Sequence, residues 1–307
     1  MTMTMPTTTT TASITFAIPF HNDIHLLRLA VESVLAQTSS DWRLLVCDDS
    51  GMELPIETML NSYGDSRIAI IKNSQNIGMV KTWNRCLDRA ESDLVNLLHA
   101  DDVLLPNYAE LMLSLAAKHG DATAFFCETE IVAYDGSPKF SLADRVKRYL
   151  LPRAVDGELL LRGEAGVASL MAGYFIMTPT LCYRKSRLGE RRFDPAFRQV
   201  QDLVFIVDLL MNGHTLVGSR ERAYAYRRHE GSATSRQSQN MLRFDEEVLA
   251  FDRIALQARE LGWGRAERVS KRKRIIKLHL FYRTLRELSR LRPTAALRAF
   301  RYWLGLV

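Results

Sequence analysis

Apolar and polar positions along the first hundred residues follow two interleaved periods. The runs "SITFAIP" (13–19), "WRLLVCDD" (42–49), "RIAIIKN" (67–73) and "DLVNLL" (93–98) are short and apolar, the pattern of strands covered on both faces. Between them, "HLLRLAVESVLAQ" (25–37) places Leu26, Leu27, Ala30, Val31, Val34 and Leu35 on one helical face. Residues 53–62 form a weaker helix, and "MVKTWNRCLDRA" (79–90) aligns Val80, Trp83 and Leu87. Strand and helix in repeated alternation predict a parallel sheet with right-handed crossovers.

Pro106 and Asn107 open a further helix that runs to about Lys118. A strand-like stretch, 122–137, follows, and its Asp135–Gly136 is a hairpin signal. Residues 140–172 are mixed and partly helical, and 177–186 reads as a strand. The segment 201–213 is a helix closed by Gly213, and "TLVGS" and 223–229 are two more short strands. From about Gln239 the chain is helical, with Phe244, Val248, Phe251 and Ala255 on one face. A second helix near 266–291 carries Val269, Ile276, Leu280 and Leu288. No internal repeat is present. The expected organisation is a tail (1–12) without order, an α/β catalytic domain (13–236, divided at 105/106), and a basic helical extension (237–307).

Composition narrows the class. With 47% hydrophobic and 25% charged residues, the 307-residue chain is of ordinary globular make-up. Cys47, Cys86, Cys127 and Cys182 are widely spaced and form no CxxC, which argues against a zinc cage or a disulfide framework and fits a reducing compartment. No apolar run has the length of a membrane span, and the threonine-rich start lacks the basic and apolar regions of a secretory signal, so a cytoplasmic location is expected. The net charge of +6 is uneven: residues 265–301 hold 13 Lys/Arg and 2 Glu, a local +11. Two readings of that segment stand. Mixed basic and apolar residues at helical spacing suit an anionic membrane surface, and the same stripe suits packing on the catalytic domain with the charges in water.

Three of the four early strands end in polar loops: "PFHND" (19–23), "CDDSG" (47–51) and "HADD" (99–102). A parallel sheet brings these loops to one edge, where open α/β sheets bind ligands. Carboxylates gathered there repel one another unless a cation sits among them, and Mg²⁺ or Mn²⁺ with a diphosphate fits oxygen donors of this kind. An extended backbone would point residues 99 and 101 the same way, making Asp101 the metal ligand. The bland account is that the acids cap helices and turns, and Asp23 and Asp102 are the candidates for it.

The stretches "ITFAIPFHN", "SVLAQTSSDWRLLVCDDSG", "NIGMVKTWN" and "NLLHADDVLLP" resemble family 2 glycosyltransferases of the GT-A fold. "GERRFDPAFRQVQDLVFIVDLLMNG" and "YRRHEGSATS" resemble the acceptor-side half of that family. The resemblance implies a mostly parallel, Rossmann-like sheet flanked by helices, and an inverting transfer from a nucleotide-sugar, a UDP-sugar foremost, to a hydroxyl of a glycan or lipid-linked acceptor. It places such an enzyme in the synthesis of cell-surface polysaccharide, lipopolysaccharide or capsule, at the inner face of the plasma membrane. Pro19, Phe20 and Asp49 match the base-binding positions, with Asn22 and Asp48 beside them. Asn76, Gly78 and Lys81 match the segment near base and diphosphate. His99, Ala100 and Asp101 match the DxD motif, whose first Asp is here a histidine. The metal would fall to Asp101 and His99, with His229 as a further contact. Asp202, from the family's acidic pair, is implied as the catalytic base, with Asp194 in reserve, and Asp208 reads as structural.

Other classes fit less well. A dinucleotide oxidoreductase needs a glycine-rich loop after the first strand, and "IPFHND" has none. A nucleic-acid-binding module would leave the acidic sheet edge unexplained, so no nucleic-acid partner is expected. The rival kept open is a non-catalytic nucleotide-sugar-binding or scaffold protein of the same fold.

Overall fold

Four parallel strands come from the first hundred residues: β1 (Ile14–Phe20), β2 (Trp42–Asp48), β3 (Ile68–Lys72) and β4 (Leu94–Leu97), in the order β3-β2-β1-β4. The computed structural model that shows them describes residues 13–139, 154–228 and 241–306. Phe20 pairs with Asp48, Asp48 with Lys72 and Ala17 with Leu97, so the carboxyl ends of all four strands share one edge. Helices α1 (Ile24–Leu35), α2 (Ile56–Asn61) and α3 (Met79–Arg89) make the crossovers. On α1, Leu26, Leu27, Ala30, Val31 and Val34 are buried, and each large aliphatic contributes about 1.5–3 kcal/mol. Asp23 caps this helix as expected: its Oδ1 accepts the His25 and Leu26 N–H groups at 3.0 and 3.1 Å.

Beyond β4 the sheet becomes antiparallel. The chain continues through β5 (Val103–Leu104), α4 (Tyr108–Lys118), β6 (Ala124–Val132), β7 (Glu158–Arg162), α5 (Gly163–Ala172), β8 (Cys182–Arg184), α6 (Lys185–Leu188), α7 (Gln201–Met211) and β9 (Thr215–Arg227). β8 joins β4, β6 joins β8, and β5 pairs with β9, all antiparallel. Asn96 ties this junction: fully buried, its Nδ2 donates to Tyr108 Oη, Pro179 O and Leu181 O, each at 2.9 Å. Such a group is costly to bury unless it is bonded in this way.

The described residues form two compact units, the first drawn from 13–130, 179–191 and 221–226, and the second from 131–139, 154–178, 192–220, 227–228 and 241–306. In the second, β7 pairs antiparallel with the first part of β9, from Glu158↔Ser219 to Arg162↔Thr215. The same unit holds the C-terminal helices α8 (Leu242–Glu260), α9 (Gly264–Arg272), α10 (Arg274–Ser289) and α11 (Pro293–Leu304).

Several expectations need correction. The strand expected over 177–186 is a 3₁₀ turn at Thr178–Thr180 followed by β8 and α6. The two short strands after Gly213 are one continuous strand, β9, whose two ends pair with different partners. The helix expected over 266–291 breaks at Lys273, which takes φ +46° within the consecutive cations Lys271–Arg274 and holds the Asp252 carboxylate. A further helix, α11, follows it. All four cysteines are buried and free. Among the described residues no helix is long and apolar enough to cross a membrane. The expectations for 1–12, for 140–153 and for His229 fall outside the described residues.

Candidate active site

Unit one gathers the polar strand ends. Phe20 closes β1, 1% exposed, and its carbonyl accepts the Asp49 N–H at 2.8 Å. Asp48 ends β2 and Asp49 follows it, and both are buried. Asp48 Oδ1 accepts the Ser50 N–H at 2.9 Å, a local turn bond of the kind such residues favour. Asp49 turns the other way. Its Oδ1 accepts Asn73 Nδ2 at 2.7 Å and the Ile77 N–H at 2.8 Å, and its Oδ2 accepts the Gly78 N–H at 3.1 Å. Gly78 is the N-cap of α3, at φ +89°, and no side chain of its own segment caps that helix. A carboxylate borrowed from the neighbouring strand end therefore accepts the N–H groups of the N-cap and of the residue before it, at the positive end of the helix dipole.

Asn76 completes the clamp. Its Nδ2 donates to Asp49 O at 2.7 Å and lies 3.2 Å from His21 Nδ1. So Pro19, Phe20, Asp48, Asp49, Asn76 and Gly78 belong to one connected stretch of unit one, and Asn22 is exposed beside it. Lys81 is exposed on the first turn of α3. Arg85, one turn on, was not foreseen. The residue is half-buried, and its Nε is buried with no hydrogen-bond partner among the described residues. Trp83, between them, is buried with its ring 5.4 Å from that of His99.

His99, Asp101 and Asp102 form the third cluster. One ligand atom from each lies within 4.8 Å of the others. The backbone here is a turn, with the Asp102 N–H on His99 O at 3.1 Å, and not the extended segment expected. The turn brings Asp102 into the group. The N-cap of α4 is Asn107, not Asp102, which the bland account had put forward for it. Asp102 is 1% exposed, lies 3.9 Å from His99 Nδ1, and its Oδ2 accepts the Tyr224 hydroxyl at 3.0 Å. Burial and the Asp102 carboxylate push the Tyr224 hydroxyl well above the ordinary tyrosine range, so it stays a donor. The two carboxylates supply the oxygen donors that Mg²⁺ or Mn²⁺ prefers, with the imidazole as a third ligand atom within reach, so these residues fit the expected divalent ion.

Unit two holds Asp202, second residue of α7 and half-buried. Its Oδ2 accepts the Thr178 hydroxyl, and its Oδ1 accepts the Leu203 N–H at 2.8 Å. Tyr174 Oη lies 3.4 Å from Thr178 Oγ1, which extends the chain of polar groups. The loop before α7 is fastened by Glu246 of α8, whose carboxylate accepts the Arg198 and Gln199 N–H groups at 2.9 and 2.7 Å. Asp194 is paired with Arg253 at 3.3 Å, and Asp208 accepts Asn212 Nδ2 at 3.2 Å. Thr178, Asn73 and Tyr224 were missed because each acts from a part of the chain remote in sequence.

Residues 15–157, just under half of the chain, match the family model described as Glycosyl transferase family 2. The chain is 30% identical over 106 residues to UDP-Glc:alpha-D-GlcNAc-diphosphoundecaprenol beta-1,3-glucosyltransferase WfgD of Escherichia coli, covering 34% of this chain and 42% of that protein, under half its length. It is 25% identical over 266 residues to the succinoglycan biosynthesis protein ExoO of Rhizobium meliloti (strain 1021), covering 85% and 72%. Among solved structures, S. aureus TarS 1–349 in complex with UDP-GlcNAc aligns with a TM-score of 0.64 at 14% identity, over 96% of this chain and 81% of that one. The mannosyltransferase PcManGT from Pyrobaculum calidifontis in complex with GDP-Man and Mn²⁺ aligns at 0.59 and 11%, over 96% and 88%. These structural likenesses establish the GT-A fold.

Proposed function

We propose that this chain is an inverting, metal-assisted glycosyltransferase that moves a sugar from a UDP-sugar to a hydroxyl of a glycan or lipid-linked acceptor. The observation that carries the reading is the shared edge of β1, β2 and β4, where Phe20, the Asp48–Asp49 loop and the His99–Asp101–Asp102 cluster end up together. The nucleotide base packs on the Pro19–Phe20 loop, which the Asp49 clamp holds. Lys81 and Arg85 supply cations for the diphosphate. His99, Asp101 and Asp102 would hold Mg²⁺ or Mn²⁺, which supplies stabilisation of the negative charge developing on the leaving diphosphate.

Asp202 is the base. Its carboxylate takes the proton of the acceptor hydroxyl as that oxygen forms a bond to the anomeric carbon. The bond from that carbon to the diphosphate oxygen breaks, and the nucleoside diphosphate leaves with the electron pair. One displacement from the opposite face inverts the configuration. Thr178 fixes the orientation of the carboxylate. Likeness to a glucosyltransferase named for a diphosphoundecaprenol acceptor and to a succinoglycan biosynthesis protein supports a role in building a polysaccharide on a lipid-linked acceptor.

A thermal-shift panel of UDP-, GDP- and dTDP-sugars with and without Mn²⁺ tests this reading. A ligand at about 100 times its Kd stabilises the native state by about 2.7 kcal/mol. The reading predicts the largest shift for a UDP-sugar with Mn²⁺. No shift with any nucleotide would contradict it.

A further inference from the structure

The two last helices present apolar side chains on opposite sides. On α10, Ile276, Leu280 and Thr284 are buried. Leu278, Phe281, Tyr282 and Leu285, at spacings of three and four, are exposed, Leu285 to 51%. At 100° per residue the two sets lie on opposite faces. The expected packing therefore holds for one face and leaves the other uncovered. α11 repeats the arrangement: Ala296 and Ala299 face inward, and Leu297, Phe300 and Leu304 face outward. The rings of Phe281 and Trp303, 6.3 Å apart, join the two outer stripes. At the turn between the helices Leu291 takes φ +55° and is 90% exposed.

Cations border this surface. Arg274 and Lys277 line an open groove with Leu278, Phe281 and Trp303, and Arg298 and Arg301 are exposed on α11. From 274 to 301 the chain carries eight Lys/Arg against one acid, the buried Glu287. Contiguous exposed apolar patches mark contact sites. A second copy of this surface would bring like charges face to face, which disfavours self-association.

We propose that the α10–α11 hairpin is a membrane-docking surface that lies flat on an anionic bilayer. Leu278, Phe281, Leu285 and Leu291 enter the boundary between headgroups and acyl chains, about 5–10 Å deep, and Arg274, Lys277, Arg298 and Arg301 meet the lipid phosphates. It deepens the reading of the chain as a transferase for lipid-linked acceptors, because docking brings the enzyme to the surface where such acceptors reside.

The test is flotation of the full-length protein with vesicles of phosphatidylcholine, alone or with about a third phosphatidylglycerol, at low and high salt. The protein floats with the anionic vesicles at low salt and is released as salt rises. Arg274→Glu with Arg301→Glu lowers binding more than tenfold, since each cation near the surface is worth about fivefold. Phe281→Ser with Leu285→Ser lowers it at every salt concentration. Both pairs keep the wild-type melting curve and nucleotide-induced shift, so a failure here is distinct from a failure of the donor site. No flotation of the intact protein at low salt, unchanged binding in both double variants, or a dimer in solution that Phe281→Ser dissociates would overturn the proposal.

Discussion

The Asp49 carboxylate accepts the Gly78 N–H at 3.1 Å, so the loop after β2 caps the helix that follows β3. One buried acid thus holds two of the segments assigned to the donor. Asp49→Ala removes three hydrogen bonds to a buried charged acceptor, and the loss is about 1–3 kcal/mol. The melting temperature should fall by several degrees, and UDP affinity should fall with it as the 73–78 loop loosens. Scanning fluorimetry checks the first and calorimetry the second. An unchanged melting curve would mean the clamp contributes nothing.

Thr178 and Asp202 give a second expectation. Asp202→Asn should keep UDP-sugar affinity within a few fold and reduce turnover about a hundredfold or more. Thr178→Val removes the hydroxyl that orients the Asp202 carboxylate, so kcat should fall while the KM for the UDP-sugar holds. Thr178→Ser restores the wild-type kcat. If the valine and serine variants behave alike, Thr178 only fills space.

Tyr224→Phe deprives the buried Asp102 of the donor at 3.0 Å and should cost about 1.5–3 kcal/mol. Burial raises both Tyr108 and Tyr224 above the ordinary tyrosine pKa. The unfolded chain releases these protons near pH 10 while the folded chain keeps them. Stability is thus fully present below about pH 10 and is lost as pH rises toward the raised folded values. The variant should lose part of that alkaline limb in urea titrations across pH 8–11. An identical limb would remove Tyr224 from the account.

His99 stands where the resemblance implies an acid. His99→Asp adds a carboxylate beside Asp101 and Asp102, and Mn²⁺ affinity measured by calorimetry should hold or tighten. A large loss would show that the imidazole, packed near Trp83, has a task an acid cannot fill.

The parallel half of the sheet was legible because β1, β2 and β4 and their helices are local patterns, each readable from its own periodicity. Asp23 was legible for the same reason: its partners are His25 and Leu26. Asp49 and Asp102 were not, since their partners lie at Asn73–Gly78 and at Tyr224, and no local pattern encodes a bond of that span. The antiparallel strands carry weak signals because β8 has three residues and β9 serves two partners. Lys273 breaks a continuous helical periodicity by a backbone angle that its residue type rarely adopts. The outer stripe of α10 was visible as apolar residues, but which face was covered depends on packing alone.

Calorimetric titration of a UDP-sugar with Mn²⁺ into the wild-type protein, Asp101→Ala and Asp202→Asn addresses the central claim, that the strand-end cluster of unit one binds the donor. The account predicts binding to the wild type, near-equal binding to Asp202→Asn, and loss of binding in an Asp101→Ala protein that still melts cooperatively. Equal affinity in all three proteins would contradict it.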